Sequence, residues 1–247
     1  MGASQSLAAA AGVTAAAATG QIASSSAHEL VAGIFCVWVF TYVRRAGLFL
    51  SPTARKGRFP GGMLLYKHYV GPYRECGKAF ETLEKTAKTG GVDHAWSAVG
   101  VYYDNPKRLA EAGLPDSMCR YAVGALVDRR AKNTQALFKQ EGYSAQAMPE
   151  FQAAVSEFPF TGLLSILLGL WKVYPRLDEF SRRHGLKEDQ IGPFCEVCGY
   201  ESSTRAMKVD YYAPLEERQQ LLLGLDDTNV YASDGRAWSE IPLKKKA

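Results

Sequence analysis

The sequence predicts an α+β domain made of a duplicated strand-helix-strand-strand unit, with one antiparallel sheet and both helices packed on it. Three observations predict it: alternating apolar runs bounded by Gly and Pro, segments of helical spacing between them, and the same order of both appearing twice between residues 63 and 212. With 247 residues, 47% hydrophobic and 22% charged, the chain has room for one ordinary domain plus extra segments and the composition to bury a core.

In the first half, Met63–Tyr69 alternates as a strand does, and Gly71-Pro72-Tyr73 ends it. Cys76, Ala79, Phe80, Leu83 and Ala87 recur at helical spacing, with Lys78, Glu81, Glu84, Lys85 and Lys88 on the other face. Gly90-Gly91 stops that helix. Trp96–Tyr103 and Cys119–Val127 read as strands, joined across Asp104-Asn105-Pro106 and a loop with Gly113 and Pro115. The more polar stretch Arg129–Met148 carries a short helix near Thr134–Glu141. The order then repeats, with a strand over Phe151–Phe158 and an apolar helix over Leu163–Tyr174. Pro175 opens a second helical piece through Arg183, and Phe194–Gly199 and Met207–Tyr212 supply the last strands. The two halves are expected to meet at a cleft, where small ligands commonly bind.

Ahead of this domain, residues 1–29 are Ala-, Ser- and Gly-rich and contain no Lys or Arg. Residues 30–45 read as a single membrane anchor, one transmembrane helix over Leu30–Val43 with Trp38 and Tyr42 near its basic end at Arg44 and Arg45. Because the positive charge follows the apolar run, the C-terminal part is expected in the cytosol. Met1-Gly2-Ala3-Ser4-Gln5-Ser6 also matches the myristoylation pattern, an alternative that conflicts with a lumenal N-terminus. Residues 46–62 form the linker, 63–214 the domain, and 215–247 a helix followed by a polar tail.

Net charge is +4, from 29 basic and 25 acidic side chains, and no basic stripe with interleaved aromatics appears, so nucleic acid is not an expected partner. No nucleophile elbow, phosphate-cradling loop, dinucleotide fingerprint or metalloprotease motif occurs. His68, His94 and His184 lie in separate elements. Five cysteines without an even framework read as reduced thiols, and Cys195 and Cys198 lack the further ligands that zinc needs. No metal, no cofactor and no catalytic residues are expected.

The segments Tyr66–Tyr73, Val101–Pro106, Cys119–Gly124 and Phe158–Ile166 together resemble the gyrase-inhibitor-like (GyrI-like, SOUL-type) domain. Within it they are most similar to the testis-expressed reticulophagy (ER-phagy) receptor family, over about Gly62–Pro214 and in the same order. The resemblance implies an ER-membrane adaptor with its domain in the cytosol. It also implies a glutamate directed into the ligand cleft, a role that falls on Glu196. Tyr66, Trp96, Tyr102, Tyr103 and Tyr211 are the aromatics expected to line that cleft. The alternative reading is a membrane-bound small-molecule or tetrapyrrole binder, or a hydrolase, using Glu196.

In the tail, Trp238-Ser239-Glu240-Ile241 has the aromatic-x-x-aliphatic form that ubiquitin-like autophagosomal modifiers bind by strand addition. Phe80–Leu83, Trp96–Val99, Phe160–Leu163 and Phe194–Val197 match the same form inside structured elements. Lys244 and Lys245, fourth and third from the end, resemble a cytosolic ER-retrieval signal.

Overall fold

The computed structural model describes residues 28–92, 96–111, 113–187, 191–200, 207–216, 221 and 223. The chain divides into two units, residues 1–49 and residues 50–247.

In the first unit, residues 28–45 form helix α1. Phe35, Trp38 and Tyr42 stack along it at ring separations of 6.2 and 6.0 Å, the i, i+3 and i+4 neighbours of a helix surface. Gly47, at φ 91°, ends it, with Gly47 N–H bonded to the Arg44 carbonyl and Leu48 N–H to that of Val43. Its large apolar side chains are exposed, from Leu30 to Phe40. The expected transmembrane span is corrected: no helix among the described residues is long and apolar enough to cross a membrane. The described helix takes in Glu29, Arg44 and Arg45, leaving too short a run of uncharged residues.

The second unit runs β1 (Arg55–Phe59), β2 (Gly62–Val70), α2 (Cys76–Thr89), β3 (Trp96–Tyr102), α3 (Pro106–Glu111), β4 (Arg120–Val127), α4 (Lys132–Gln140), β5 (Ser144–Met148), β6 (Phe151–Pro159), α5 (Leu163–Arg183), β7 (Phe194–Tyr200) and β8 (Met207–Pro214). The expected double strand-helix-strand-strand order is present as β2-α2-β3-β4 and β6-α5-β7-β8. Two strands were not foreseen. β1 lies inside the segment read as a linker, and β5 inside the polar stretch before the second half. Pro175 does not divide α5, which is one helix. Its ring lies on the exposed side, while Leu168, Val173 and Leu177, buried on both sides of it, keep the helix seated on β6 and β8.

The eight strands form one antiparallel sheet in the order β1-β6-β8-β7-β3-β4-β2-β5. The β7–β3 pair joins the halves, with Glu196 opposite Gly100. Each half's leading strand pairs with the other half: β1 with β6, and β5 with β2. Yet only Pro60 and Gly61 separate β1 from β2, and only Pro149 and Glu150 separate β5 from β6. Either link spans at most about 11 Å, whereas strands six places apart in a flat sheet stand about 29 Å apart. The sheet must therefore curl until its ends meet. The two links pass one another where they cross: a Cβ on Gly61, at φ 66°, would stand 3.1 Å from Glu150 N and from the Met148 carbonyl oxygen.

The curl creates an inside. One buried cluster draws side chains from all eight strands, including Phe59, Leu64, Val101, Ala122, Met148, Phe151, Val197 and Tyr212. Phe59 stacks on Phe151 at 4.8 Å and meets the edge of Tyr212 at 5.3 Å. Leu221 and Leu223, from beyond β8, complete this interior. The helices lie on the other face, where Ala79, Leu83 and Ala87 of α2 pack with Phe138 of α4 on Leu65, Val123, Ala125 and Val127.

Two glycines give opposite expectations. A Cβ on Gly124 would stand 2.1 Å from the Leu65 carbonyl oxygen, whereas one on Gly77 meets nothing within 4 Å. Gly124→Ala should destabilise the protein by roughly 1–3 kcal/mol. Gly77→Ala, within α2, should raise stability by up to roughly 1 kcal/mol. Urea unfolding of the two variants beside the wild type measures both.

Candidate functional site: a half-buried glutamate among tyrosines

Side chains alternate across β7, so Cys195 and Val197 join the interior cluster while Glu196 and Cys198 face the helices. Glu196 stands opposite Gly100 on β3 and opposite Tyr211 on β8, at the seam of the two halves. From α5, Tyr174 donates its hydroxyl to Glu196 Oε1 at 2.7 Å. The Tyr174 ring meets Phe194 edge-on at 4.8 Å and Tyr211 at 5.8 Å. Tyr102 approaches from β3, with its hydroxyl 3.9 Å from Cys76 Sγ of α2 and its ring 5.0 Å from that of Tyr73.

Two glycines make room for this group. A Cβ on Gly100 would stand 2.9 Å from the Tyr102 hydroxyl, and one on Gly169 of α5 would stand 2.5 Å from the Tyr211 hydroxyl. Each tyrosine tip occupies space that a side chain would otherwise fill.

Burial raises the Glu196 carboxyl from its ordinary value to about 7, against the hydrogen bonds of Tyr174 and Tyr102, which favour the charged form. Near neutral pH the carboxyl is thus divided between its two protonation states. Burial and the Glu196 charge push the Tyr102, Tyr174 and Tyr211 hydroxyls upward, so all three stay protonated and able to donate. Burial likewise raises the Cys76 thiol, and takes that of Cys198 up to about 12 with help from the Glu196 charge. Neither thiol is a ready nucleophile. The arrangement sets one carboxyl that can exchange a proton near pH 7 among hydroxyls that stay protonated.

The residues expected to line a cleft fall in two places. Glu196, Tyr102 and Tyr211 come together on the helix face. Tyr66 and Tyr103 lie on the interior face, with His68 between them at ring separations of 5.2 and 5.9 Å. There the Tyr66 hydroxyl donates to the Leu223 carbonyl at 2.7 Å, and His68 Nε2 stands 3.3 Å from the same oxygen. Trp96 shares the Tyr102 face but starts β3, four residues from Gly100, roughly 13 Å along the strand. Tyr174, Cys76 and Tyr73 were not singled out in the sequence. The Tyr-Tyr-Asp-Asn-Pro run has a structural task as well. Asp104 takes the Arg120 guanidinium at 2.8 and 2.9 Å and its backbone N–H at 2.7 Å, and Tyr73 donates to the Asp104 carbonyl at 2.8 Å.

Among the described residues no group of three His, Cys, Asp or Glu could hold a metal ion. Cys195 and Cys198 point to opposite faces of β7, and burial raises both thiols. Gly2, Trp238, Ile241, Lys244 and Lys245 lie outside the described residues.

The Glu196 proton carries a pH signature. Between about pH 4.5 and 7 the folded protein keeps a proton that the unfolded chain releases. Stability is therefore highest below that window and is lost as pH rises through it, by up to roughly 3 kcal/mol. Glu196→Gln should remove this term. Measured by urea unfolding, the variant should gain relative to wild type by roughly 2–3 kcal/mol between pH 4.5 and pH 8. An equal difference at both values would mean that Glu196 does not titrate in this range.

No family model matches the chain. Testis-expressed protein 264 of Homo sapiens is 27% identical over 163 residues, 60% of this chain and 46% of that protein. Its Mus musculus homolog is 24% identical over 207 residues, 77% of this chain and 61% of that protein. The chain thus spans about half the length of the curated relatives it matches. Solved structures with a similar course include the EcmrR C-terminal domain, 12% identical at a TM-score of 0.46 over 66% of this chain and 96% of that one. Another is a hydrolase from Listeria innocua, 11% identical at 0.35 over 70% of this chain and 98% of that one. At these scores the functional reading rests on the chain's own residues, and its relation to testis-expressed protein 264 is one of distant similarity.

Proposed function

We propose that the chain is a membrane-attached adaptor of the reticulophagy-receptor kind, acting at the endoplasmic reticulum with its second unit in the cytosol. The observation that carries this reading is α1. Leu30, Val31, Ile34, Phe35, Val37, Trp38 and Phe40 are 56–66% exposed, and Arg44 and Arg45 follow at once. So much uncovered apolar surface on one helix calls for an apolar partner. A bilayer supplies one by taking up the helix surface, with the basic pair at anionic headgroups.

In this reading the second unit recognises a ligand or partner and performs no chemistry. The Glu196 carboxyl is engaged by Tyr174, and the neighbouring thiols are held protonated. Trp238 and Ile241 take the two pockets of a ubiquitin-like autophagosomal modifier by strand addition, and Lys244 and Lys245 serve retrieval to the endoplasmic reticulum. The distant similarity to testis-expressed protein 264 supports the same assignment.

A second reading is favoured by the site itself: a small-molecule binding domain in which Glu196, Tyr174, Tyr102 and Tyr211 receive a cationic or polar ligand. The two readings part on one experiment. Full-length protein in detergent should bind a purified ubiquitin-like modifier, and Trp238→Ala with Ile241→Ala should weaken that binding at least tenfold, about 1.4 kcal/mol. Glu196→Gln should leave it unchanged. Equal binding by wild type and the double variant would remove the adaptor reading and leave the ligand-binding one.

A further inference from the structure

A second uncovered apolar surface lies on α5. Leu163, Ile166, Leu167, Leu170 and Trp171 fall at the i, i+3, i+4, i+7 and i+8 positions of one helix face. They are 71%, 41%, 54%, 48% and 71% exposed. The opposite face, with Ser165, Leu168, Gly169 and Val173, is the one buried on the sheet. A surface helix of a folded domain ordinarily carries polar residues where this one carries leucines and a tryptophan.

The chain itself indicates the occupant. It joins the second unit at Leu50, which is 45% exposed, and the Leu50 carbonyl accepts a hydrogen bond from Lys172 Nζ at 2.8 Å. Lys172 is the neighbour of Trp171. Between Arg45, at the end of the apolar helix, and Leu50 only residues 46–49 intervene, at most about 18 Å of chain. Whatever surface α1 enters, the Trp171 end of α5 is leashed to it.

We propose that α5 is a second membrane-contacting element, its Leu163, Leu167, Leu170 and Trp171 side chains entering the boundary between headgroups and acyl chains. This rests on the membrane-attached reading of α1. Tryptophan favours that depth, and a lysine beside it can lay its stem along apolar surface while its ammonium stays among polar groups. Tyr174 lies three residues beyond Trp171, and it bonds Glu196. The glutamate site is therefore held close to the bilayer, within reach of a ligand that partitions there.

The test uses the full chain with phosphatidylcholine–phosphatidylserine vesicles whose acyl chains are brominated, a quencher of tryptophan at the boundary. Trp171→Phe disturbs no buried contact, and its melting temperature should match that of wild type. Trp171 is one of four tryptophans, so at equal protein concentration the emission lost to the brominated lipid should be larger for the wild type than for the variant, by up to about a quarter of the wild-type total. Vesicle flotation separates the outcomes. Flotation with the same absolute loss of emission from both proteins would overturn the α5 contact and leave the α1 reading standing. Failure of the wild type to float would overturn both. A sedimenting mass that halves in Leu167→Ser/Trp171→Ser would assign the stripe to a second copy of the chain and overturn the lipid assignment.

Discussion

Two links of two residues each dictate the shape of the second unit. Because Pro60-Gly61 and Pro149-Glu150 must each bridge strands six places apart in the sheet order, no flat arrangement satisfies them, and curling is the only geometry left. Once curled, the sheet has an inside that all eight strands can fill and an outside that α2 and α5 cover. The crossing also makes each half complete the other's edge, so neither half has a closed set of hydrogen bonds without its counterpart. Exchange of this kind favours a single cooperative unfolding transition.

The curl places the seam of the halves, β7 against β3, where helices from both halves approach it. A carboxylate there is costly to ionise, because burial removes its water. The protein offsets this with tyrosine hydroxyls and, at Gly100 and Gly169, by omitting side chains so that those hydroxyls fit. The result is a poised group, neither firmly charged nor firmly neutral. Such a group responds to a bound charge more strongly than an exposed glutamate, since a cation placed beside it would draw its proton off.

β2, β3, β4, β6, β7 and β8 were legible because each carries a run of apolar residues between turn residues, continuous where both faces are buried, as in β4 and β6. The edge strands were not. In β1 only Phe59 is buried, and in β5 only Met148, so Arg55–Phe59 reads as a basic linker and Ser144–Met148 as polar loop. Pro175 read as a break because proline removes a helical hydrogen bond, yet the core contacts on either side outweigh that loss. With the helix read as ending there, Tyr174 looked like a terminal residue and not a site residue. The division of the cleft aromatics was within reach, since Tyr102 and Tyr103 are adjacent on one strand and adjacent side chains must point to opposite faces. Resemblance placed Glu196 in a ligand cleft, while the strand rule supplied only its company on one face. What the sequence did not disclose was that a tyrosine of α5, the helix just before β7, completes that group.

Leu223 carries a further consequence. Its side chain is enclosed in the interior, its backbone takes the left-handed conformation that branched residues avoid, and its carbonyl is held by Tyr66. The chain after β8 is thereby fixed to the interior of the curled sheet at Leu223. Fifteen peptide steps separate Leu223 from Trp238, so covalent geometry keeps Trp238 within about 50 Å of Leu223. Any protein that grips Trp238 must come inside that radius, and the sheet, not the terminus, sets where its centre lies.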